Sequence, residues 1–83
     1  MIEVLKANGT PVRNLQTMLR EINFFYNILP EVIVDGIFDE ITKKAVMGFQ
    51  KRFNLNETGE VDIITFEKIV EEYKRAINNE NIS

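Results

Sequence analysis

The sequence predicts an all-α fold, a three-helix bundle with a long extended connector between helices 1 and 2. Apolar residues recur at helical spacing in three separate stretches of the 83-residue chain. A residue type that caps helix N-termini stands before each stretch. A glycine also lies three residues before the capping aspartate of the second and third stretches, where a tight turn is expected.

The first helix is predicted to begin at Thr10-Pro11. Thr10 would be the N-cap, and Pro11 would take the first helical position, where its missing amide costs nothing. The helix should end near Tyr26 or Asn27. Its apolar face is formed by residues at steps of three and four, namely Val12, Leu15, Leu19, Ile22 and Tyr26. Residues 1–5 are expected to lie extended against the bundle.

Residues 27–38 connect the first two helices, and a connector of about a dozen residues is long for a helical bundle. Pro30 disfavours helical geometry at Leu29, so the first helix cannot continue through it. Residues 32–34 are all β-branched. We therefore expect an extended segment that lies across the bundle and covers its core.

The second helix is predicted over about residues 40–53. A tight turn at Asp35-Gly36 and a buried Phe38 precede it, and Asp39 can accept a hydrogen bond from the free amides of its first turn. Its apolar stripe consists of Ala45, Val46, Phe49 and Phe53. On the opposite side, an outward patch is expected from Lys44, Met47, Gly48 and Lys51.

The pattern that launches helix 2 returns 23 residues later, as an internal repeat. The same four residue types recur in order: a glycine, a core-facing apolar residue, a capping aspartate and a threonine, which are here Gly59, Val61, Asp62 and Thr65. Each threonine hydroxyl is predicted to reach back to its cap, a variant of the capping box. Helix 3 follows, so residues 1–77 are assigned to one domain and residues 78–83 to a disordered tail.

Composition excludes several classes of function. Histidine and cysteine are absent, which removes the commonest general base, the commonest zinc ligand, disulfides and thiolate metal sites. The formal net charge of −3 disfavours a nucleic-acid partner. No apolar run is long enough to span a membrane, and the N-terminus lacks a signal-peptide pattern.

Three ordered blocks make the chain resemble the peptidoglycan-binding domain family. The family pattern Val-x-x-Leu-Gln-x-x-Leu is matched by residues 12–19. The central pattern, Val-Asp-Gly-x-Phe-Gly-x-x-Thr-x-x-Ala-Val-x-x-Phe-Gln, is matched by residues 34–50, with Asp39 in place of glycine. In the third block, Leu55 begins the match and Phe66 replaces the commoner tryptophan. The resemblance covers about residues 10–75.

The resemblance implies a small three-helix module that binds bacterial cell-wall peptidoglycan, through its glycan or its stem peptide, without catalysis. Such a module would target an attached or partner hydrolase, or a spore-wall protein, to the wall. The expected location is the cell envelope or the extracellular space, as part of a longer or otherwise exported protein. No cofactor is expected.

Four residues are candidate ligand contacts. Arg13, Gln50 and Arg52 should flank the apolar stripes as half-buried polar groups, suited to the amides and hydroxyls of a muropeptide. Thr42 is the fourth, although its first role is at the helix start. The remaining motif residues are assigned to the structure rather than to chemistry, and they are Asp35, Gly36, Phe38, Asp39, Gly59, Asp62 and Thr65. We expect no catalytic residue and no metal site.

Two alternatives stay open at the level of sequence. The same fold could be a protein–protein interaction module that uses the patch around Met47 and Gly48. Paired carboxylates such as Asp35 and Asp39 also fit a stand-alone wall hydrolase, because glycoside hydrolysis uses two carboxyl groups. Caps and turns account for both aspartates more simply.

Overall fold

A computed structural model describes residues 9–82, with side chains described as far as residue 78. It contains three helices, α1 (Thr10–Tyr26), α2 (Glu40–Arg52) and α3 (Ile63–Ile82), and no strand within the described range. The predicted all-α three-helix architecture is confirmed. The prediction for residues 1–5 lies outside the described residues.

Helix α1 begins one residue earlier than predicted. Gly9 is the N-cap, so the assignment of this role to Thr10 is wrong. Gly9 has a φ of 111°, a conformation that favours glycine, and its amide donates to the carbonyl of Gly36 at 2.8 Å. At the other end Asn27 adopts the left-handed conformation, as C-terminal residues of helices often do. The predicted end of α1 is confirmed.

The connector between α1 and α2 packs on the core, as expected. Leu29 is buried, and Ile28 and Val32 lie half-buried against the core cluster. The amide of Leu29 donates to Asn23 Oδ1 at 2.7 Å, which anchors the start of the connector to the last turns of α1. Ile33, in contrast, remains 40% exposed. The connector therefore covers the bundle with alternate side chains.

The core lies where α1 packs mainly against α3, with α2 and the connector closing it. Its fully buried centre includes Leu15, Leu19, Ile22, Ala45, Val46, Phe49 and Ile69. Phe38 packs against this cluster but is only half-buried, so the prediction that it is buried is corrected. It precedes the cap Asp39 in a loop, and a loop residue is covered on one side only.

Helix α3 continues to Ile82, past the expected boundary at residue 77. The proposed division into a domain of residues 1–77 and a tail of residues 78–83 stays a prediction. None of the helices in the described part of the chain combines the length and the apolar character that crossing a bilayer requires.

Candidate functional site

Residues 35–42, which comprise the loop before α2 and the first turn of α2, are held by one buried side chain of α1. Gln16 is fully buried, and its Oε1 accepts hydrogen bonds from the amides of Asp35 (3.0 Å) and Gly36 (2.8 Å). Its amide nitrogen donates to three oxygens, which are Asp35 Oδ1 at 3.1 Å, the Ile37 carbonyl at 2.9 Å and Thr42 Oγ1 at 2.8 Å. We call residues 35–42 the first loop.

Residues 58–65, which comprise the loop before α3 and the first turn of α3, are held in the same way by a side chain of α2. Gln50 is 1% exposed, and its Oε1 accepts from the amide of Gly59 at 3.0 Å. Its amide nitrogen donates to Thr58 Oγ1 at 3.2 Å, the Glu60 carbonyl at 3.0 Å and Thr65 Oγ1 at 3.1 Å. We call residues 58–65 the second loop.

Each loop ends in the predicted aspartate cap. Asp39 Oδ1 accepts from the amide of Thr42 at 3.4 Å, and Asp62 Oδ1 accepts from the amide of Thr65 at 2.9 Å. The capping-box variant is wrong for Thr42, because its hydroxyl donates to the Ile37 carbonyl and the amide of Asp39 also bonds that carbonyl. The Thr65 hydroxyl, in contrast, bonds the carboxylate of its cap Asp62.

Two of the motif aspartates are held in their ionised form. Hydrogen bonds from the amide of Ile37 and from Gln16 lower the pKa of Asp35 below its ordinary value of 3.8. The pKa of Asp62 is also lowered, by hydrogen bonds from the amide and the hydroxyl of Thr65. A glycosidase needs a general acid whose pKa is raised. Neither carboxyl group is suited to that role.

Two of the four predicted ligand contacts are buried, and for Gln50 this corrects the expectation that it flanks the apolar stripe as a half-buried group. Gln50 is 1% exposed and Thr42 is 2% exposed. The reason is the loop geometry, since the backbone of each loop turns its polar groups inward and needs a buried partner for them. The polar atoms of both side chains are occupied by the loop bonds described above. That either one contacts a ligand stays a prediction.

The other two predicted contacts, Arg13 and Arg52, are exposed but far apart. Arg13 lies in the first turn of α1 beside Asp35, whose pKa its charge helps to lower. Arg52 lies with its guanidinium carbon 5.8 Å from the centre of the Phe53 ring, and its charge acts on Tyr26 at the other end of α1. Because an α-helix rises about 1.5 Å per residue, one sugar unit cannot reach both arginines.

The outward patch expected on α2 is only partly outward, because Lys44 and Lys51 are exposed as predicted but Met47 and Gly48 are half-buried. Gly48 is half-buried because the connector crosses it: a Cβ built there would lie 3.2 Å from Pro30 Cδ. Met47 is half-buried on another side, where the second loop passes, since a Cβ at Gly59 would lie 3.2 Å from Met47 Cγ. Glycine at position 48 thus serves close packing of the connector.

A buried acidic residue on α3 was missed by the sequence analysis. Glu72 is 3% exposed, accepts a hydrogen bond from the Tyr26 hydroxyl at 3.0 Å and forms an ion pair with Lys68 at 3.2 Å. Burial, together with the bond to Glu72, raises the pKa of Tyr26. Lys68 also lies 5.3 Å from the centre of the Phe53 ring. The sequence signal that could have revealed this ion pair was the i,i+4 spacing of Lys68 and Glu72. Through the Tyr26–Glu72 hydrogen bond, these residues connect α1 to α3.

Gln16 is the glutamine of the family pattern in residues 12–19, but the sequence did not predict that it holds the first loop. The signal was that Gln16 and Gln50 each directly follow a core residue, Leu15 and Phe49. A glutamine next to a core position on a helix is turned partly inward, where it needs hydrogen-bond partners.

Two shallow grooves open beside the second loop. One, of about 220 Å³, is lined by Asn54, Leu55, Asn56, Asp62, Ile64 and Thr65, and we call it the asparagine groove. The other, of about 310 Å³, is lined by Phe38, Lys43, Thr58, Gly59 and Glu60, and we call it the lysine groove. Within the described residues, no group of three or more acidic side chains is placed to hold a metal ion.

Comparison with known proteins adds one finding. The family model described as "Putative peptidoglycan binding domain" matches residues 8–69. This range includes α1, α2, both loops and the start of α3. Neither the curated proteins nor the solved structures contain a significant match to the sequence.

Proposed function

The chain belongs to the peptidoglycan-binding domain family, and from this premise we propose that it binds bacterial cell-wall peptidoglycan without catalysing a reaction on it. The match over residues 8–69 is the observation that carries the proposal. We further propose that the domain targets an attached or partner hydrolase, or a spore-wall protein, to the wall. Its place of action is then the cell envelope or the extracellular space.

The geometry of the aspartates supports a non-catalytic role. Asp35, Asp39 and Asp62 each accept hydrogen bonds from backbone amides of their own loop. A carboxylate that is used in this way stabilises a turn or a helix start. The lowered pKa values of Asp35 and Asp62 also leave no proton for a leaving group at neutral pH.

Binding of the polymer would occur at shallow surfaces rather than in a deep pocket. The asparagine and lysine grooves are open and small. Each would supply modest affinity on its own, and a repeating polymer adds strength through multiple attachment. Arg13 and Arg52 remain proposed contacts for separate units of the polymer, because Arg13 lies in the first turn of α1 and Arg52, the last residue of α2, lies near Tyr26 at the other end of α1.

The test is co-sedimentation of the purified domain with protein-free wall sacculi, at low and moderate salt. The proposal expects saturable sedimentation of the folded domain and none after heat denaturation. The same sample should leave the turbidity of the suspension unchanged. A folded domain that stays in the supernatant would refute binding, and clearing that Asp35→Asn abolishes would establish the hydrolase alternative.

A protein–protein interaction module remains the second candidate, and the end of α1 favours it. Phe24 is 80% exposed and Phe25 is 41% exposed. Adjacent exposed aromatic residues are typical of contact surfaces between proteins. The Phe24→Ser variant separates the two candidates, because wall binding through the grooves should be unaffected by it. Loss of sedimentation in this variant would show that the wall-binding surface includes the end of α1.

A further inference from the structure

We propose that the asparagine groove binds an uncharged N-acetylated sugar of the glycan strand. This inference rests on the proposed function, which leaves open whether glycan or stem peptide is recognised. Its main polar contacts are the side chains of Asn54 and Asn56, which the loop hydrogen bonds do not use, and it names both the place of contact and the chemical class of the ligand.

Two side-chain amides supply the polar part of the groove. Asn54 and Asn56 are exposed, and neither side chain is hydrogen-bonded to another described residue. Each amide carries an acceptor oxygen and two donor hydrogens. A sugar hydroxyl both donates and accepts, and an acetamido group does the same with its N–H and its carbonyl. The pair therefore matches the polar groups of an amino sugar.

The position of Asn54 is fixed by the end of α2. Its φ is 61°, a left-handed conformation that asparagine tolerates better than most residues. Its amide lies 3.3 Å from the Lys51 carbonyl, and the next amide, of Leu55, donates to the Gln50 carbonyl at 2.8 Å. The groove is thus built on helix-terminal backbone, which lowers the entropic cost of binding.

Apolar side chains supply the rest of the lining. Ile64 is 62% exposed although it is a large aliphatic residue, and Leu55 is half-buried beside it. The methyl of an acetamido group and the C–H face of a pyranose ring are apolar surfaces of matching size. The volume of about 220 Å³ is below the range of about 300–1,000 Å³ typical of drug-sized ligands. It suits one sugar ring.

Charge disfavours the stem peptide at this groove. Asp62 is the one ionisable residue among the six that line it. Its lowered pKa keeps it negative at neutral pH. A carboxylate repels the carboxylates of a stem peptide but accepts hydrogen bonds from sugar hydroxyls. The lysine groove has both a cation, Lys43, and a carboxylate, Glu60, in its lining and lacks this selectivity.

The first experiment follows backbone amide shifts by NMR during titration with N-acetylglucosamine trimer or with a free stem tetrapeptide. The trimer should shift amides at residues 54–56 and 62–65 in a saturable manner, and the peptide should not. Saturable shifts there with the peptide, or none there with the trimer, would overturn the inference.

The second experiment compares variants by sacculus sedimentation. Asn54→Gly removes the amide and keeps the left-handed backbone, and Asn56→Ala removes the second amide. The double variant should bind about thirtyfold more weakly, since each net hydrogen bond is worth about 1 kcal/mol and about 1.4 kcal/mol is a factor of ten in affinity. Asn14→Ala, an exposed asparagine on α1, is the matched control and should bind as the original chain does.

The two levels of the proposal fail differently. Sedimentation that the double variant fully retains would refute the asparagine groove and leave wall binding intact. Absence of sedimentation by the original chain would refute wall binding itself.

Discussion

The first and second loops share most of their hydrogen bonds but make them with different residues, and only Gln16 also accepts from the amide of the residue before the glycine. In each, a buried glutamine accepts from the amide of a glycine and donates to a threonine hydroxyl and a backbone carbonyl. The glycines have nearly equal φ angles, 77° for Gly36 and 76° for Gly59. Because the glutamines come from different helices, Gln16 ties α1 to the start of α2, and Gln50 ties α2 to the start of α3.

The difference lies at the residue before each glycine. In the first loop Asp35 accepts from the glutamine and from the amide two residues on, whereas in the second loop the neutral hydroxyl of Thr58 takes both bonds. The hydrogen bond of the cap, in contrast, is longer in the first loop, at 3.4 Å for Asp39, than in the second, at 2.9 Å for Asp62. The first loop therefore depends more on its glutamine, and the second more on its cap.

The largest expected effect is the contrast between Gln16→Glu and Gln50→Glu. The new carboxylate cannot donate, and at position 16 it would face the Asp35 carboxylate, which lies 3.1 Å from the present amide nitrogen. We expect a loss of about 4 kcal/mol in unfolding free energy. At position 50 the hydroxyls of Thr58 and Thr65 can rotate to donate, so we expect about 2 kcal/mol. Urea denaturation at neutral pH measures both.

The alanine variants at the same positions are the control for this contrast. Gln16→Ala and Gln50→Ala each remove a whole side chain without adding charge, and their losses should differ by less than about 1 kcal/mol. If the two glutamate variants were equally unstable, the charge of Asp35 would not distinguish the loops.

Next in size is the contrast between Gly59→Ala and Gly36→Ala. Both residues have positive φ, so each alanine incurs backbone strain of about 1 kcal/mol. A Cβ at Gly59 would also lie 2.7 Å from Lys43 Cγ, whereas at Gly36 its nearest neighbour, the Gly9 carbonyl oxygen, is 3.4 Å away. We expect about 2 kcal/mol for Gly59→Ala by thermal or urea unfolding. The added Lys43→Ala substitution should narrow the gap, and an unchanged gap would contradict the steric account.

The two caps should differ by a smaller amount. Asp62→Ala is expected to cost about 1 kcal/mol and Asp39→Ala about half of that, because the Asp62 bond is shorter. Equilibrium unfolding of both variants provides the comparison. Asp62→Asn, which retains a capping oxygen, should stay close to the original stability. The reverse order of the two alanine variants would contradict the ranking of the caps.

The smallest expected effect is the dependence of stability on acid. The folded pKa values of Asp35 and Asp62 lie below 3.8, so the folded chain binds fewer protons at these sites than the unfolded chain. Their contribution is present above that value and is lost as pH falls through the folded pKa values. The urea midpoint should therefore decline as pH falls below about 5 toward the folded pKa values. The decline should be smaller in the Asp35→Asn/Asp62→Asn double variant, and an unchanged decline would assign it to other groups.

The fold could be predicted because its signals are local. Apolar spacing and the Asp39 and Asp62 caps place the starts of α2 and α3 where they are observed, although α3 continues past the expected boundary at residue 77. The glutamine bonds span 19 to 26 residues for Gln16, and no local pattern encodes such a separation. The bonds of Gln50 span 8 to 15 residues, and the sequence predicted a half-buried position for this fully buried side chain. The position of Gly48 was missed for the same reason, since only the path of the connector brings Pro30 against it.

The candidate site was less predictable than the fold. Arg13 and Arg52 are exposed rather than half-buried as expected, and their separation depends on how the helices pack. The asparagine groove combines the end of α2 with the start of α3. Asn54 and Asn56 look like ordinary turn residues in the sequence, because polar turns favour asparagine for backbone reasons alone.

The central claim is that the buried motif glutamines serve the fold and leave ligand binding to the surface. Hydrogen exchange of the side-chain amides of Gln16 and Gln50, followed by NMR with and without soluble peptidoglycan fragments, tests it most directly. Both amides should exchange much more slowly than that of the exposed Asn14, and neither should shift when fragments bind. Exchange as fast as that of Asn14, or a shift of either glutamine amide on addition of fragments, would contradict the claim.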